Sequence, residues 1–122
     1  MQKKYTLQKS PFIVPTTDGK LIEEHFGLAC DANSEISIAH MIAPSGWSEP
    51  FQIPEFDEYT YIIKGKKQIN IDGEIVILEA GQSIKILKNT KVKYSNPFKQ
   101  VCEYLAICLP AFSPTKVHRD EA

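Results

Sequence analysis

No apolar run in this sequence approaches the ~20 residues needed to cross a bilayer. The opening stretch M-Q-K-K-Y-T-L-Q-K-S carries charge but no hydrophobic segment, so it does not read as a secretory signal. An excess of one charge is also missing. Fourteen Lys and Arg stand against 15 Asp and Glu, a net charge of −1. That balance argues against a nucleic-acid-binding face and against a polybasic membrane contact. Cysteine is scarce and odd in number: Cys30, Cys102 and Cys108 show no C-x-x-C spacing. Free thiols in a reducing compartment are the simplest reading, and the expected location is cytoplasmic. Histidine is nearly absent ahead of the tail, where only His25 and His40 occur. There is no long amphipathic helix, internal repeat, low-complexity segment or linker. At 122 residues and 43% hydrophobic content, the chain has the size and apolar fraction of one domain with a real core.

What is present is β-forming sequence in short pieces. Residues 1–17 read as an extended arm in which Pro11 and Pro15 flank the apolar Phe12, Ile13 and Val14. Asp18-Gly19 is a turn signal. Residues 21–28 fit a helical stripe (Leu21, His25, Leu28) as well as strand alternation (Ile22, Glu24, Phe26). The strand-rich sequence that follows favours a strand. Residues 31–34 form a loop, and from Ile36 to Ile42 apolar residues alternate as in a half-buried strand. Further strands are expected over 59–64, 66–71, 74–78, 83–87, 92–95 and 101–109. Asp72-Gly73 between two alternating runs is a strong hairpin signal. Many short strands at roughly ten-residue spacing mean a sandwich or barrel.

The chain is organised around Gly46 to Gly65. Its first half is polar and stiffened by Pro50 and Pro54, which lack backbone donors and extend the residues before them. Its second half, from Tyr59 to Ile63, is aromatic and β-branched and suits a strand. A stiff polar lip running into a buried strand sets side chains at the mouth of a barrel.

The spacing resembles that of the cupins. Their first motif, Gly-x5-His-x-His-x3-Glu-x6-Gly, falls here on Gly46, Gln52, Pro54, Glu58 and Gly65. Their second, Gly-x5-Pro-x-Gly-x2-His-x3-Asn, falls on Gly81, Leu87, Asn89, Val92 and Asn96. The resemblance implies an all-β fold, the cupin-type double-stranded β-helix or jelly-roll barrel, with a pocket inside. The chain is then one domain, 1–122, with the barrel at about 36–110, an N-terminal arm at 1–17 and a C-terminal tail at 111–122. Typical cupins hold a divalent metal with three His and one Glu. Here those His positions read Gln52, Pro54 and Val92, and only Glu58 remains. Proline and valine cannot ligate through their side chains, and a carboxylate with one amide oxygen is a poor site for iron, zinc or nickel. No cofactor is expected, and the usual metal chemistry does not carry over.

Strand alternation sets Glu58, Thr60 and Ile62 on one face, which the motif position makes the interior. A carboxyl there needs a partner or a shifted pKa. It could serve as a general acid or base, or as a structural acceptor for a Tyr or Lys. Gln52 offers a donor and acceptors to a neutral polar ligand. Glu49, Glu55 and Asp57 crowd the same lip, either as a solvated loop or as ligand contacts. Tyr59 and Tyr61 fall on the opposite face, packing on a second sheet or a partner. His40 shares a strand face with isoleucines and reads as a core or rim histidine. Cys102, Tyr104, Ala106 and Cys108 share one face of the last strand; Tyr104 is a candidate to orient a substrate. Lys85, Lys88, Lys91, Lys93 and Lys99 form a basic run, read as a solvated face.

Three functions remain open. The first is a metal-free barrel that binds a small polar ligand, carbohydrate-like or an organic acid, between Gln52, Glu58 and apolar walls, with Glu49, Glu55, Tyr104 and His40 as further candidate contacts. The second is an isomerase, epimerase or lyase with Glu58 as acid/base. The third is a metal-dependent enzyme with His25 or His40 as replacement ligands. A homodimer is expected, because Phe12 to Val14 and Ala111-Phe112 have no obvious place in a minimal barrel and an unpaired sheet edge is a liability.

Overall fold

The computed structural model describes residues 4–120; the outermost positions of the expected arm and tail, 1–3 and 121–122, lie outside the described residues. Nine strands follow in chain order among them: β1 (Phe12–Ile13), β2 (Leu21–Phe26), β3 (Ser37–Ala43), β4 (Asp57–Lys64), β5 (Lys66–Ile71), β6 (Glu74–Glu79), β7 (Ser83–Ile86), β8 (Val92–Ser95) and β9 (Cys102–Leu109). A one-turn helix α1 (Leu28–Asp31) follows β2, and a short 3-10 turn (Pro114–Lys116) follows β9. The strands form a six-stranded sheet in the order β1-β2-β3-β9-β4-β7 and a three-stranded sheet in the order β6-β5-β8. All pairings are antiparallel. This is the jelly-roll barrel implied by the motif spacing.

The sequence explains its main joints. Asp72 and Gly73 sit at φ 50° and 95° and close β5 on β6 in a two-residue turn, with Ile71 paired to Glu74. Two successive positive φ values are what that tight hairpin requires. β9 is the long central strand, paired with both β3 and β4. Its alternation is visible in burial: Cys102, Tyr104, Ala106 and Cys108 are buried, and the residues between them are half-exposed. Gly65 passes between β4 and β5 at φ 81°, and a Cβ there would lie 2.2 Å from the Val101 carbonyl oxygen. Asn96 is fully buried. Its Nδ2 donates to the carbonyls of Ala43 and Pro44 at 3.2 Å and of Gln100 at 2.8 Å, tying the ends of β3, β8 and β9 together.

Two clusters make the core. The larger gathers Trp47, Ile62, Ile69, Leu78, Val92, Tyr94 and Tyr104. The smaller joins Phe56, Cys108 and Val117, with Phe112 packed against them.

Three expectations change, and the strand favoured at 21–28 is found with a shorter end. The barrel begins before residue 36, because β2 pairs with β3 along its length and β1 adds to the outer edge of β2. The helix-or-strand ambiguity at 21–28 resolves at Gly27: the strand stops at Phe26 and a single helical turn follows. The tail is not a free extension. Residues 116–120 return to the lip, with Ile53 N donating to Val117 O and Asp120 N to Phe51 O. Ala111 and Phe112 therefore do have a place in one chain. Finally, β3 turns the opposite way to the reading that put its isoleucine face toward the core. Ser37, Ala39 and Ala43 are buried and Met41 points inward with them, while Ile38, His40 and Ile42 face out. Small residues are needed on the inner face because the barrel keeps space there.

Candidate functional site

That space is a cavity of about 90 Å³ between the two core clusters. Each wall supplies polar groups. β4 contributes Glu58, β5 contributes Lys67, β8 contributes Tyr94, and β9 contributes Tyr104 and Cys108. Lys20 enters from the turn before β2, Glu49 and Gln52 from the lip, and Arg119 from the returning tail. Ala39, Met41, Phe56 and Ala106 complete the apolar part of the wall.

The lip is fixed by backbone pairing: Gln52 and Val92 exchange two hydrogen bonds of 2.9 Å. Arg119 then covers it. Its Nε donates to Gln52 Oε1 at 3.1 Å, and its Nη2 stands 3.5 Å from Glu49 Oε2. Trp47 Nε1 donates to Asp18 Oδ2 at 2.7 Å, which pins the turn that carries Lys20.

The two lysines set the electrostatics. Lys67 is only 2% exposed. Its Nζ lies 3.6 Å from the ring centre of Tyr104 and 4.4 Å from that of Tyr94. Lys20 Nζ lies 4.3 Å from the Trp47 ring centre and 5.6 Å from that of Tyr104. Among the described residues neither lysine forms a salt bridge. The aromatic faces offer each ammonium some compensation for lost water. Burial nevertheless pushes Lys67 down to about 8, helped by the neighbouring Lys20 and opposed by Glu58 and Glu49. Burial lowers Lys20 as well, against the pull of Glu49, Glu58 and Asp18. Glu58 moves the other way. Burial raises its pKa, Lys67 counters this, and Glu49 adds to it. Cys108 Sγ donates to Glu58 Oε1 at 3.8 Å. Burial also holds the Tyr94 and Tyr104 hydroxyls well above their usual range. The Tyr104 hydroxyl is buried with no hydrogen-bond partner among the described residues.

Of the residues singled out in the sequence, Glu58, Glu49, Gln52 and Tyr104 meet in this cavity. Glu55 and His40 do not line it. Glu55 pairs with His118 on the exposed rim. His40 lies outside the barrel, its Nδ1 2.7 Å from Glu23 Oε1 and its Nε2 2.6 Å from Glu103 Oε2. Its strand is turned so that the ring faces the charged outer surface of β2 and β9. His25 also lies away from the cavity lining; its backbone carbonyl accepts from Gln8 Nε2 at 3.2 Å. Lys85, Lys88, Lys91 and Lys99 are exposed, as a solvated face should be. Tyr59 and Tyr61 point outward, 38% and 45% exposed.

The positions that hold the metal in typical cupins do not fit one here. Val92 is fully buried and apolar, Gln52 is engaged by Arg119, and Glu58 is flanked by two cationic side chains. Among the described residues no group of three or more His, Cys, Asp or Glu converges on one point. The charge beside Glu58 is supplied by Lys67 and Lys20.

Those lysines, Arg119 and Tyr94 escape a reading of motif positions alone. The signal for Lys67 is its alternation with Ile69 and Ile71, which sets a charged residue on an apolar face. Lys20 likewise alternates with Ile22 and Glu24. Nothing in the local pattern points to Arg119, whose role depends on the tail folding back.

Residues 39–108 match the family profile described as Cupin domain. A Myxococcus xanthus (strain DK1622) protein named endoribonuclease YbeY is 38% identical over 108 residues. The match takes in 88% of this chain, and the chain spans 37% of that protein's length. Among solved structures, the Clostridium difficile EutQ protein superposes with TM-score 0.60 at 24% identity, over 75% of this chain and 63% of that one. An RmlC-like cupin from Shewanella frigidimarina superposes with TM-score 0.74 at 16% identity, over 93% and 96%. A single-residue variant of Streptomyces PAC13, solved with uridine, gives TM-score 0.76 at 14% identity, over 99% and 93%. At these identities the likeness to solved structures concerns the fold.

Proposed function

The chain belongs to the cupin family, and we propose that its barrel binds a small organic acid in the cavity between Lys20, Lys67, Gln52 and Glu58, without the metal of typical cupins. The observation that carries this is the pair of cavity-lining lysines with no salt bridge among the described residues. A buried cation lacking an anion is costly, and a ligand carboxylate is the group that would satisfy it. Size argues in the same direction. About 90 Å³ is well below the ~300–1,000 Å³ of pockets for drug-sized ligands. A short acid fits that space better than a sugar or a nucleoside. Tyr104 Oη, Gln52 and a protonated Glu58 would donate hydrogen bonds to the remaining oxygens.

A thermal-shift panel of short carboxylic acids, neutral sugars and uridine tests this. Short acids should raise the melting temperature, and the shift should vanish in Lys67→Met. A ligand at 100 times its Kd adds about 2.7 kcal/mol of stability, which such a scan resolves easily. A response to sugars or uridine with none to acids would reject the reading.

The raised pKa of Glu58 favours a second reading, an isomerase, epimerase or lyase. A buried carboxyl whose pKa is raised holds its proton more readily than an ordinary one, and can donate it to a bound substrate and take one back. Glu58→Gln would then abolish turnover of a hydroxy acid while leaving its binding nearly intact.

We further propose that the protein pairs with itself through the outer surface of β4, where Tyr59, Tyr61 and Ile63 stand exposed. The three free thiols suit a reducing, cytoplasmic setting. None of the helices is long and apolar enough to cross a membrane among the described residues.

A further inference from the structure

We propose that Lys67 Nζ is a nucleophile that forms an imine with the carbonyl carbon of a small 2-oxo acid held in the cavity. This rests on the organic-acid reading above and adds covalent chemistry to it.

The geometry separates the roles of the two lysines. Lys67 is the more enclosed, seated between the rings of Tyr104 and Tyr94 on an otherwise apolar strand face with Ile69 and Ile71. A purely structural position on that face would be filled more cheaply by leucine or methionine. Lys20 enters from the mouth side, beside Trp47, with Arg119 also lining the cavity. A 2-oxo acid whose carboxylate is held at Lys20 would present its carbonyl inward to Lys67. The second ammonium and the apolar wall both ease loss of the Lys67 proton, and its pKa of about 8 leaves a fraction of free amine at neutral pH that grows as pH rises. Amines in such surroundings are nucleophiles at moderate pH. The charged and titratable groups that face Lys67 are Lys20 before β2, Glu49 on the lip, Glu58 on β4, Tyr94 on β8, and Cys102 and Tyr104 on β9.

The step balances with Glu58 as the proton carrier. The Lys67 nitrogen lone pair bonds to the carbonyl carbon, and the C=O π pair moves to oxygen, which takes the Glu58 proton. Glu58 recovers a proton from the new ammonium, leaving a neutral carbinolamine. It then gives that proton to the hydroxyl, the C–O bond breaks, and water leaves. What remains is a protonated imine on Lys67 beside the Glu58 carboxylate. The charges end paired, and no external oxidant or reductant is needed.

Full-length protein incubated with pyruvate or glyoxylate and reduced with sodium borohydride tests the proposal. Reduction adds hydride to the C=N bond and fixes the acid to the chain. Intact-mass analysis should show one adduct, equal to the acid minus one water plus two hydrogens, on the peptide that carries Lys67. It should be lost in Lys67→Arg and Lys67→Met, with circular dichroism confirming that at least one variant folds. Wild-type labelling, which needs no variant, should reach half its plateau near pH 8. Label spread over surface lysines, or rising only near the pH of an ordinary lysine, overturns the proposal. Carboxylates that raise the melting temperature without any adduct overturn the imine and leave the binding reading standing. Neither a shift nor an adduct defeats both.

Discussion

Lys67 carries a clear consequence for stability. Holding a lysine that titrates at about 8 instead of 10.5 corresponds to about 3 kcal/mol of cost at neutral pH. The sign follows from proton counting. Between those two values the unfolded chain binds more protons than the folded one, so this residue's contribution improves as pH rises through the window and is fully unfavourable below it. Lys67→Met should therefore be more stable than wild type at pH 7, by up to about 3 kcal/mol. The gap should narrow toward pH 10. Urea unfolding of both proteins at three pH values checks this; a gap that is constant with pH would mean that Lys67 is solvated in the folded state. Glu58 is legible in the sequence because the motif spacing and strand alternation agree on its direction. Lys67 is equally legible in principle, as one charge among alternating isoleucines, but it occupies no motif position. Arg119 is not legible, because it reaches the site only through long-range folding of the tail.

Strands and turns differ in how openly the sequence declares them. The β5–β6 hairpin and the β9 alternation can be read directly, since turn chemistry and a period of two suffice. The facing of β3 cannot. Its isoleucines lie outside, because the inner wall, which already takes Met41, needs Ser37, Ala39 and Ala43 to leave room. Outward-facing His40 then becomes a stitch across β2, β3 and β9 through Glu23 and Glu103. Burial disfavours the charged ring, but the hydrogen bonds to Glu103 and Glu23 outweigh it and raise its pKa above 6.5. A raised histidine stabilises fully below its unfolded value and loses that contribution as pH climbs through the folded one. His40→Gln should cost about 1 kcal/mol at pH 6 and close to nothing at pH 9, as read from melting curves. An equal loss at both pH values would show that packing, not charge, holds the three strands. At the β4–β5 joint, Gly65→Ala meets both a positive φ and the Val101 carbonyl at 2.2 Å. The loss should be at least about 1–3 kcal/mol, measurable by chemical denaturation; a near-neutral effect would mean that the joint relaxes freely.

On the scale of the whole molecule, the tail closes what the barrel opens. Phe112 and Val117 complete the smaller core cluster, and Arg119 lies across the lip. The barrel is therefore longer in sequence than its motifs, extending into stretches that read as arm and tail. With Ala111 and Phe112 accounted for within one chain, the case for a homodimer moves to Tyr59, Tyr61 and Ile63. Light scattering should give twice the chain mass for wild type and the single-chain mass for Tyr61→Glu; a wild-type monomer at micromolar concentration would remove that surface from consideration. Under the proposed function, the cavity is charged to hold a small carboxylate in place of a metal. Calorimetric titration of pyruvate into metal-free wild-type protein and into Lys67→Met at pH 7 tests it most directly. Saturable one-to-one binding in wild type and its loss in the variant is the predicted result. No heat in wild type, or equal binding in both proteins, would contradict it.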